Sequence, residues 1–356
     1  MKKRIGAAVI AALTSVALAA CGQSGTSTTA NGEHAPVTLS FITGNPEDHP
    51  ISDGFWMFRD KLAQTAPWVK IDYKGGPEVM APNLMVEGVQ SGAYDGASLP
   101  SGYYASQVPA VELARFTPFS PTEERDDGVF DIYAKIHEKQ GLHLAGRTYA
   151  GVPQVILLKD KIDKPDLTGL NLRTSPDASG PVKALGGTPV DMPAGEVYSA
   201  LERGVIDGAT FTSTGVVSLG WQEHLGYYVE PRFYDSVAST VINLDKWDSL
   251  DKETQDAITQ TMKDVEPEVV KHYQELAAKE TKAWQDAGMK QIHFQGADEK
   301  KVMDAAYRTS FDALDWKRIA AASPEAEQIR AKYEETYGSK DLVSVVPGSA
   351  VIQPKA

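Results

Sequence analysis

The chain has 356 residues, 42% hydrophobic, 23% charged and 8% aromatic. That is the composition of a folded protein with length for two domains, and it excludes disordered, collagen-like and coiled-coil chains. Its 35 basic and 48 acidic side chains leave a net charge of −13, a surface that repels phosphate backbones, so no nucleic acid is expected as a partner.

In chain order the first feature is an address. Lys2, Lys3 and Arg4 precede an apolar run from Ile5 to Ala20, the pattern of a secretion signal ending in small residues. The run is broken by Thr14 and Ser15 and is short for a membrane span. Cys21 is the only cysteine, which excludes an internal disulfide, a thiolate zinc cluster and a CxxC redox pair. Leu18-Ala19-Ala20-Cys21-Gly22 resembles a bacterial lipoprotein box, which implies lipid on Cys21 and a membrane anchor for an exported chain. Residues 1–20 then read as the signal peptide. Residues 21–36, rich in Gly, Ser, Thr and Asn, read as a flexible tether.

The body opens on a strand in which Val37, Leu39 and Phe41 alternate with Thr38 and Ser40. A helix follows with Ile51, Phe55, Phe58 and Leu62 at helical spacing, then a strand over Trp68 to Tyr73. Strand and helix signals alternate to about residue 244, which predicts α/β layers on mostly parallel sheets. Beyond Asp251 the pattern is helical. Ile258, Met262, Val265, Val269, Tyr273 and Leu276 define one long helix that Pro267 is expected to kink or split, and a further helix spans Asp298 to Tyr337, interrupted near Ser323-Pro324.

An internal repeat stands out. Gly75-Gly76 leads through Met80 and Pro82 to Gly92-Ala93-Tyr94-Asp95-Gly96-Ala97-Ser98. Gly186-Gly187 leads through Met192 and Pro193 to Gly204-Val205-Ile206-Asp207-Gly208-Ala209-Thr210. Each copy reads as a helix closed by a left-handed glycine and followed by a buried strand ending in a hydroxyl. Two similar lobes place a ligand in the cleft between them, at the carboxyl ends of strands.

Catalytic signatures are absent: the chain has no GxGxxG, P-loop, GxSxG or HExxH. His137 and His143 point to different faces and read as surface or structural residues. Asp245, Asp248 and Asp251 are too widely spaced for a calcium loop and read as caps around Trp247. No metal and no cofactor is expected. Trp56, Trp68, Trp221, Trp247 and Trp284 read as packing residues.

Arg173 ends a short strand just before a turn and a helix, a location that faces a cleft. Its planar fork matches both oxygens of a carboxylate, although a surface salt bridge is the bland alternative. Strand ends also nominate Asn45, Tyr103 and Thr212, and a helix start nominates Asn83. For Tyr103 a half-buried core ring is an equal alternative, and Asn45 also suits a turn before Pro46.

The segments Leu-Thr-Gly-Leu-Asn-Leu-Arg-Thr (167–174), Ala-Leu-Gly-Gly-Thr-Pro-Val (184–190), Glu-Val-Tyr-Ser-Ala-Leu-Glu-Arg-Gly-Val-Ile-Asp-Gly (196–208) and Val-Ile-Asn-Leu-Asp-Lys-Trp (241–247) resemble the substrate-binding subunits of tripartite ATP-independent periplasmic (TRAP) transporters. The resemblance implies a two-lobed, class II-like periplasmic-binding-protein fold of α/β type with a hinge and a long bracing helix near the C-terminus. It places lobe I at 37–150 plus about 238–276, lobe II at 151–237 plus about 277–345, and a tail at 346–356. It also implies a small organic acid held by Arg173 and passed to membrane subunits driven by an ion gradient. Some sialic-acid-binding members carry a second arginine where this chain has Pro153, leaving Gln154 as the nearest polar candidate. They have an asparagine where Phe211 stands and an aromatic where Ala194 stands. These departures favour a monocarboxylate, keto, hydroxy or aromatic acid with a partly apolar body. A binding protein of an ATP-driven system, a sensory lipoprotein and, less readily, an exported enzyme are the alternatives.

Overall fold

The computed structural model describes residues 34–175, 178–339 and 342. Cys21 and the 346–356 tail lie outside them. The strands are β1 (Val37–Thr43), β2 (Val69–Gly75), β3 (Gly96–Pro100), β4 (Leu142–Tyr149), β5 (Gln154–Leu158), β6 (Asn171–Thr174), β7 (Thr188–Asp191), β8 (Gly208–Thr212), β9 (Tyr227–Glu230), β10 (Ala238–Asn243) and β11 (Lys290–His293). They form two sheets, ordered β2-β1-β3-β10-β4 and β11-β9-β5-β8-β6-β7.

The sheets are mixed rather than mostly parallel. In each, one strand runs against both of its neighbours: β10 against β3 and β4, and β5 against β8 and β9. Both strands follow a direct passage between the sheets, from β4 to β5 and from β9 to β10, whereas the third passage, from β10 through the helix over Lys252–Asp286 to β11, delivers β11 parallel to β9. A strand that crosses directly, with no intervening helix, reaches its sheet from the rim and so runs opposite to the strands supplied by local βα turns.

The helices are α1 (Asp53–Thr65), α2 (Met85–Gln90), α3 (Pro121–Asp126), α4 (Val129–Glu138), α5 (Ser179–Ala184), α6 (Ala194–Glu202), α7 (Leu244–Asp248), α8 (Lys252–Asp286), α9 (Ala297–Asp304), α10 (Ser310–Asp312), α11 (Trp316–Ala322) and α12 (Ala326–Ser339). Pro267 does not split α8, which runs unbroken for 35 residues. The proline is exposed, so the carbonyl it leaves unbonded faces water instead of the core. Asp251 caps α8, accepting from the Thr254 N–H at 2.8 Å. The final helical stretch has breaks beyond the one at Ser323-Pro324: a π turn over Ala305–Thr309 and a second interruption between α10 and α11.

The repeat is real in the sheets. β2-β1-β3-β10-β4 and β7-β6-β8-β5-β9 share order and strand sense. Gly92 and Gly204 both adopt left-handed φ, 75° and 69°. The following Asp95 and Asp207 do equivalent work, accepting the Ser40 N–H at 2.7 Å and the Asn171 N–H at 2.8 Å. The glycine pairs upstream are not equivalent, because Gly75 ends β2 whereas Gly186-Gly187 precede β7.

α8 braces both halves. Its first half packs Ile258, Met262, Val265, Val269 and Tyr273 into the core under the first sheet, and Trp284 joins the core of the second. Buried apolar surface of this extent is the main stabilising term. α11 and α12, which the sequence reading assigns to lobe II, pack against α4 and the 3₁₀ segment Pro109–Phe116. The Lys332 ammonium meets Asp127 at 2.8 Å, and the Tyr133 and Tyr333 hydroxyls meet at 3.2 Å.

Candidate binding site between two strand rims

The pairing Pro100↔Ala238↔Tyr149 puts the end of β3, the start of β10 and the end of β4 on one rim. In the second sheet Gln154 opens β5 directly opposite Thr212, the last residue of β8. The link from Tyr149 to Gln154 therefore joins rim to rim. A second link, Pro231–Val237, runs alongside it, with the Ser236 N–H donating to the Val152 carbonyl at 3.0 Å.

Arg173 lies near the carboxyl end of β6, only 6% exposed, so its charge is held in a partly desolvated setting where an anion is attracted more strongly than in water. Two main-chain carbonyls orient it: Nε donates to Met192 at 3.0 Å and a terminal nitrogen to Thr210 at 3.4 Å. Its Cζ stands 5.5 Å from the Phe211 ring and 5.9 Å from Trp221, and those two rings are 4.7 Å apart. Cation–π contacts of this kind stabilise the guanidinium pose.

Strand alternation sorts the other candidates. Arg173 is in register with Ala209, so Arg173 and Phe211 share one face of the sheet. Gln154 is opposite Thr212 and shares the other face with it. The two pairs meet only over the rim. Gln154, 9% exposed, has its Oε1 buried with no partner among the described residues, and so has the Oγ1 of Thr210, two residues deeper on the same face. Thr212 donates to the Thr214 carbonyl at 2.7 Å.

On the opposite rim Asn45 follows β1, with its Oδ1 also buried and unpartnered among the described residues. Tyr103 stands on the 3₁₀ turn after β3 and is 41% exposed. Asn83 is exposed on the turn before α2, and its carbonyl accepts from Gln107 at 3.4 Å.

Trp221 packs into the core as the sequence predicts, and it also flanks Arg173, with its buried indole N–H lacking a partner among the described residues. The histidines are structural. His137 is fully buried with Nδ1 2.7 Å from the Tyr133 carbonyl, and burial lowers its pKa to about 4. His143 stacks on Trp247 at 3.5 Å, and burial with the Arg125 charge lowers its pKa to about 4. Among the described residues no group of His, Cys, Asp or Glu gathers as a metal site, and no helix is long and apolar enough to cross a membrane.

The family model for bacterial extracellular solute-binding proteins, family 7, matches residues 41–312. The chain is 26% identical over 254 residues to a monocarboxylate 2-oxoacid-binding periplasmic protein of Nostoc sp., covering 66% of this chain and 67% of that one. It is 27% identical over 273 residues to the 2,3-diketo-L-gulonate-binding periplasmic protein YiaO of Escherichia coli, covering 74% and 76%. A TRAP periplasmic solute-binding protein of Rhodobacter sphaeroides, in an apo open structure, matches with a TM-score of 0.73 at 18% identity, over 84% of this chain and 99% of that one.

Proposed function

The chain belongs to family 7 of the bacterial extracellular solute-binding proteins, and from that premise we propose that it captures a small organic acid between its rims and presents the closed form to the membrane subunits of a TRAP transporter. One observation carries the reading: a guanidinium nine-tenths buried at a strand end, posed by two carbonyls above two aromatic rings. A carboxylate fits that fork in a way an ammonium could not reproduce. The names of the Nostoc and Escherichia coli relatives, both acid binders, support the ligand class.

In this reading Arg173 takes the carboxylate and Phe211 covers the carbon stem. Thr212 and Gln154 contribute hydrogen bonds from the same rim, Asn45 and Tyr103 from the opposite one. The ligand leaves unchanged, so no catalytic group is needed. The body sits outside the cytoplasm, and lipid on Cys21 holds it to a membrane. Thermal-shift measurements on the intact chain with a panel of 2-oxo and 2-hydroxy acids test the site. Arg173→Ala and Arg173→Lys should both lose the ligand-induced shift while the ligand-free protein still melts cooperatively. A variant with unchanged affinity removes Arg173 from the assignment.

A further inference from the structure

The crossover Phe233–Val237 is bonded to three other segments, the Tyr149–Gln154 link among them. Phe233 exchanges main-chain bonds with Gln154 at 2.8 and 3.0 Å. The Asp235 N–H donates to the Arg115 carbonyl at 2.9 Å, the Ser236 N–H to Val152 at 3.0 Å, and the Val237 carbonyl accepts from the Ser101 N–H at 3.0 Å. Along this run four side-chain atoms are buried with no hydrogen-bond partner among the described residues: Gln154 Oε1, Arg115 Nε, Ser236 Oγ and Ser101 Oγ.

Asp235 does not serve them. Its two carboxylate oxygens accept the N–H groups of Gly151 and Val152 at 3.0 and 2.9 Å. No ion pair holds Arg115 among the described residues; its Cζ lies 4.8 Å from the Phe116 ring and 5.9 Å from Tyr234. Native proteins leave few buried donors and acceptors unmade, because each forfeits its hydration. Gathered on one crossover and the segments bonded to it, beside the rim where Gln154 faces Thr212, these atoms mark a place that something else completes.

We propose that Arg115, Ser236 and Gln154 form a second polar subsite on the hinge, and that it receives the end of the ligand remote from the carboxylate on Arg173. Two of the three are donors and one donor is cationic, so that end carries acceptor oxygens, as a ketone or a second carboxylate. This rests on the organic-acid reading above and narrows it, because a wholly apolar tail would leave both donors unmet.

Pentanoate, 2-oxopentanoate and glutarate share a five-carbon chain and differ only in their oxygens, so titrating the intact chain with each by thermal shift tests the subsite. At least one of the oxygenated acids should bind better than pentanoate. Arg115→Met and Ser236→Ala should each erase that preference, about a tenfold loss for one hydrogen bond to a charged partner. Ser236→Ala should leave the melting temperature of the ligand-free protein unchanged, since its hydroxyl has no partner among the described residues, whereas Arg115→Met should lower it slightly through the lost contacts with the Phe116 and Tyr234 rings. Equal or absent responses to the three acids overturn the proposal, as do variants that melt lower yet keep the preference. Arg173→Ala separates the two ideas. Loss of all three acids upholds the carboxylate site, whereas a retained preference for the oxygenated acids removes Arg173 and leaves the hinge subsite standing.

Discussion

The carboxylate of Asp235 accepts the backbone N–H of Val152 at 2.9 Å, fastening one rim-to-rim crossover to the other. The neighbouring bond to the Gly151 N–H, at 3.0 Å, makes the clamp two-pronged. Because Asp235 is fully buried, burial raises its pKa to about 7 against the pull of those two donors.

That shift predicts a pH dependence with a definite sign. The folded pKa lies above the unfolded value near 4, so the folded state holds the extra proton between the two. The associated stability is fully present below about pH 4 and is lost as pH rises through about 7. Asp235→Asn cannot titrate. Its cost relative to wild type in urea unfolding should be larger at pH 5 than at pH 8, and an equal cost at both would show that Asp235 does not carry this linkage.

His143 should act in the opposite sense over an overlapping range. Its folded pKa of about 4 is below the unfolded value near 6.5, so its stability is present above about pH 6.5 and lost as pH falls towards 4. His143→Phe keeps a ring against Trp247 and removes the titration. The loss of unfolding free energy between pH 7 and pH 4.5 should shrink by roughly 2 kcal/mol in the variant.

Gly151 holds φ at +75°, and a Cβ there would stand 2.9 Å from Cγ1 of Val270 on α8. Gly151→Ala should cost about 1–2 kcal/mol from the left-handed backbone, plus a steric component. Adding Val270→Ala should recover the steric component only. A double-mutant cycle by chemical denaturation separates the two, and full recovery would mean the backbone conformation carries no strain for alanine.

The paired aspartates of the repeat give a matched comparison. Asp95 accepts from both the Ser40 N–H and the Ser40 hydroxyl, at 2.7 and 2.8 Å, whereas Asp207 accepts the Asn171 N–H alone at 2.8 Å. Asp95→Ala should destabilise by about 2 kcal/mol and Asp207→Ala by about 1 kcal/mol. Reversal of that order in equilibrium unfolding would break the equivalence drawn between the two halves.

Much of the architecture was legible in one dimension because it is encoded locally. Val37, Leu39 and Phe41 alternate whatever the partner strand is, Gly92 and Gly204 close their helices by backbone conformation alone, and the apolar spacing from Ile258 to Tyr273 marks α8 wherever it packs. The direction of β5 and β10 was not legible, since their sequences do not record that each arrives from the other lobe. Asp95 and Asp207 showed as a repeated motif, but their shared bond to the neighbouring strand emerged only with the sheets assembled.

The candidate site divides along the same line. Arg173 declared itself through its place at a strand end, a property of neighbouring residues. What it touches did not: the carbonyls of Met192 and Thr210, and the Trp221 ring, come from elements 19 to 48 positions further along. Arg115, Ser236 and Gln154 have no spacing in common, and only the crossover at Phe233–Val237 gathers them. Short-range periodicity and turn chemistry are written residue by residue, whereas the meeting of distant loops depends on how two finished sheets are joined.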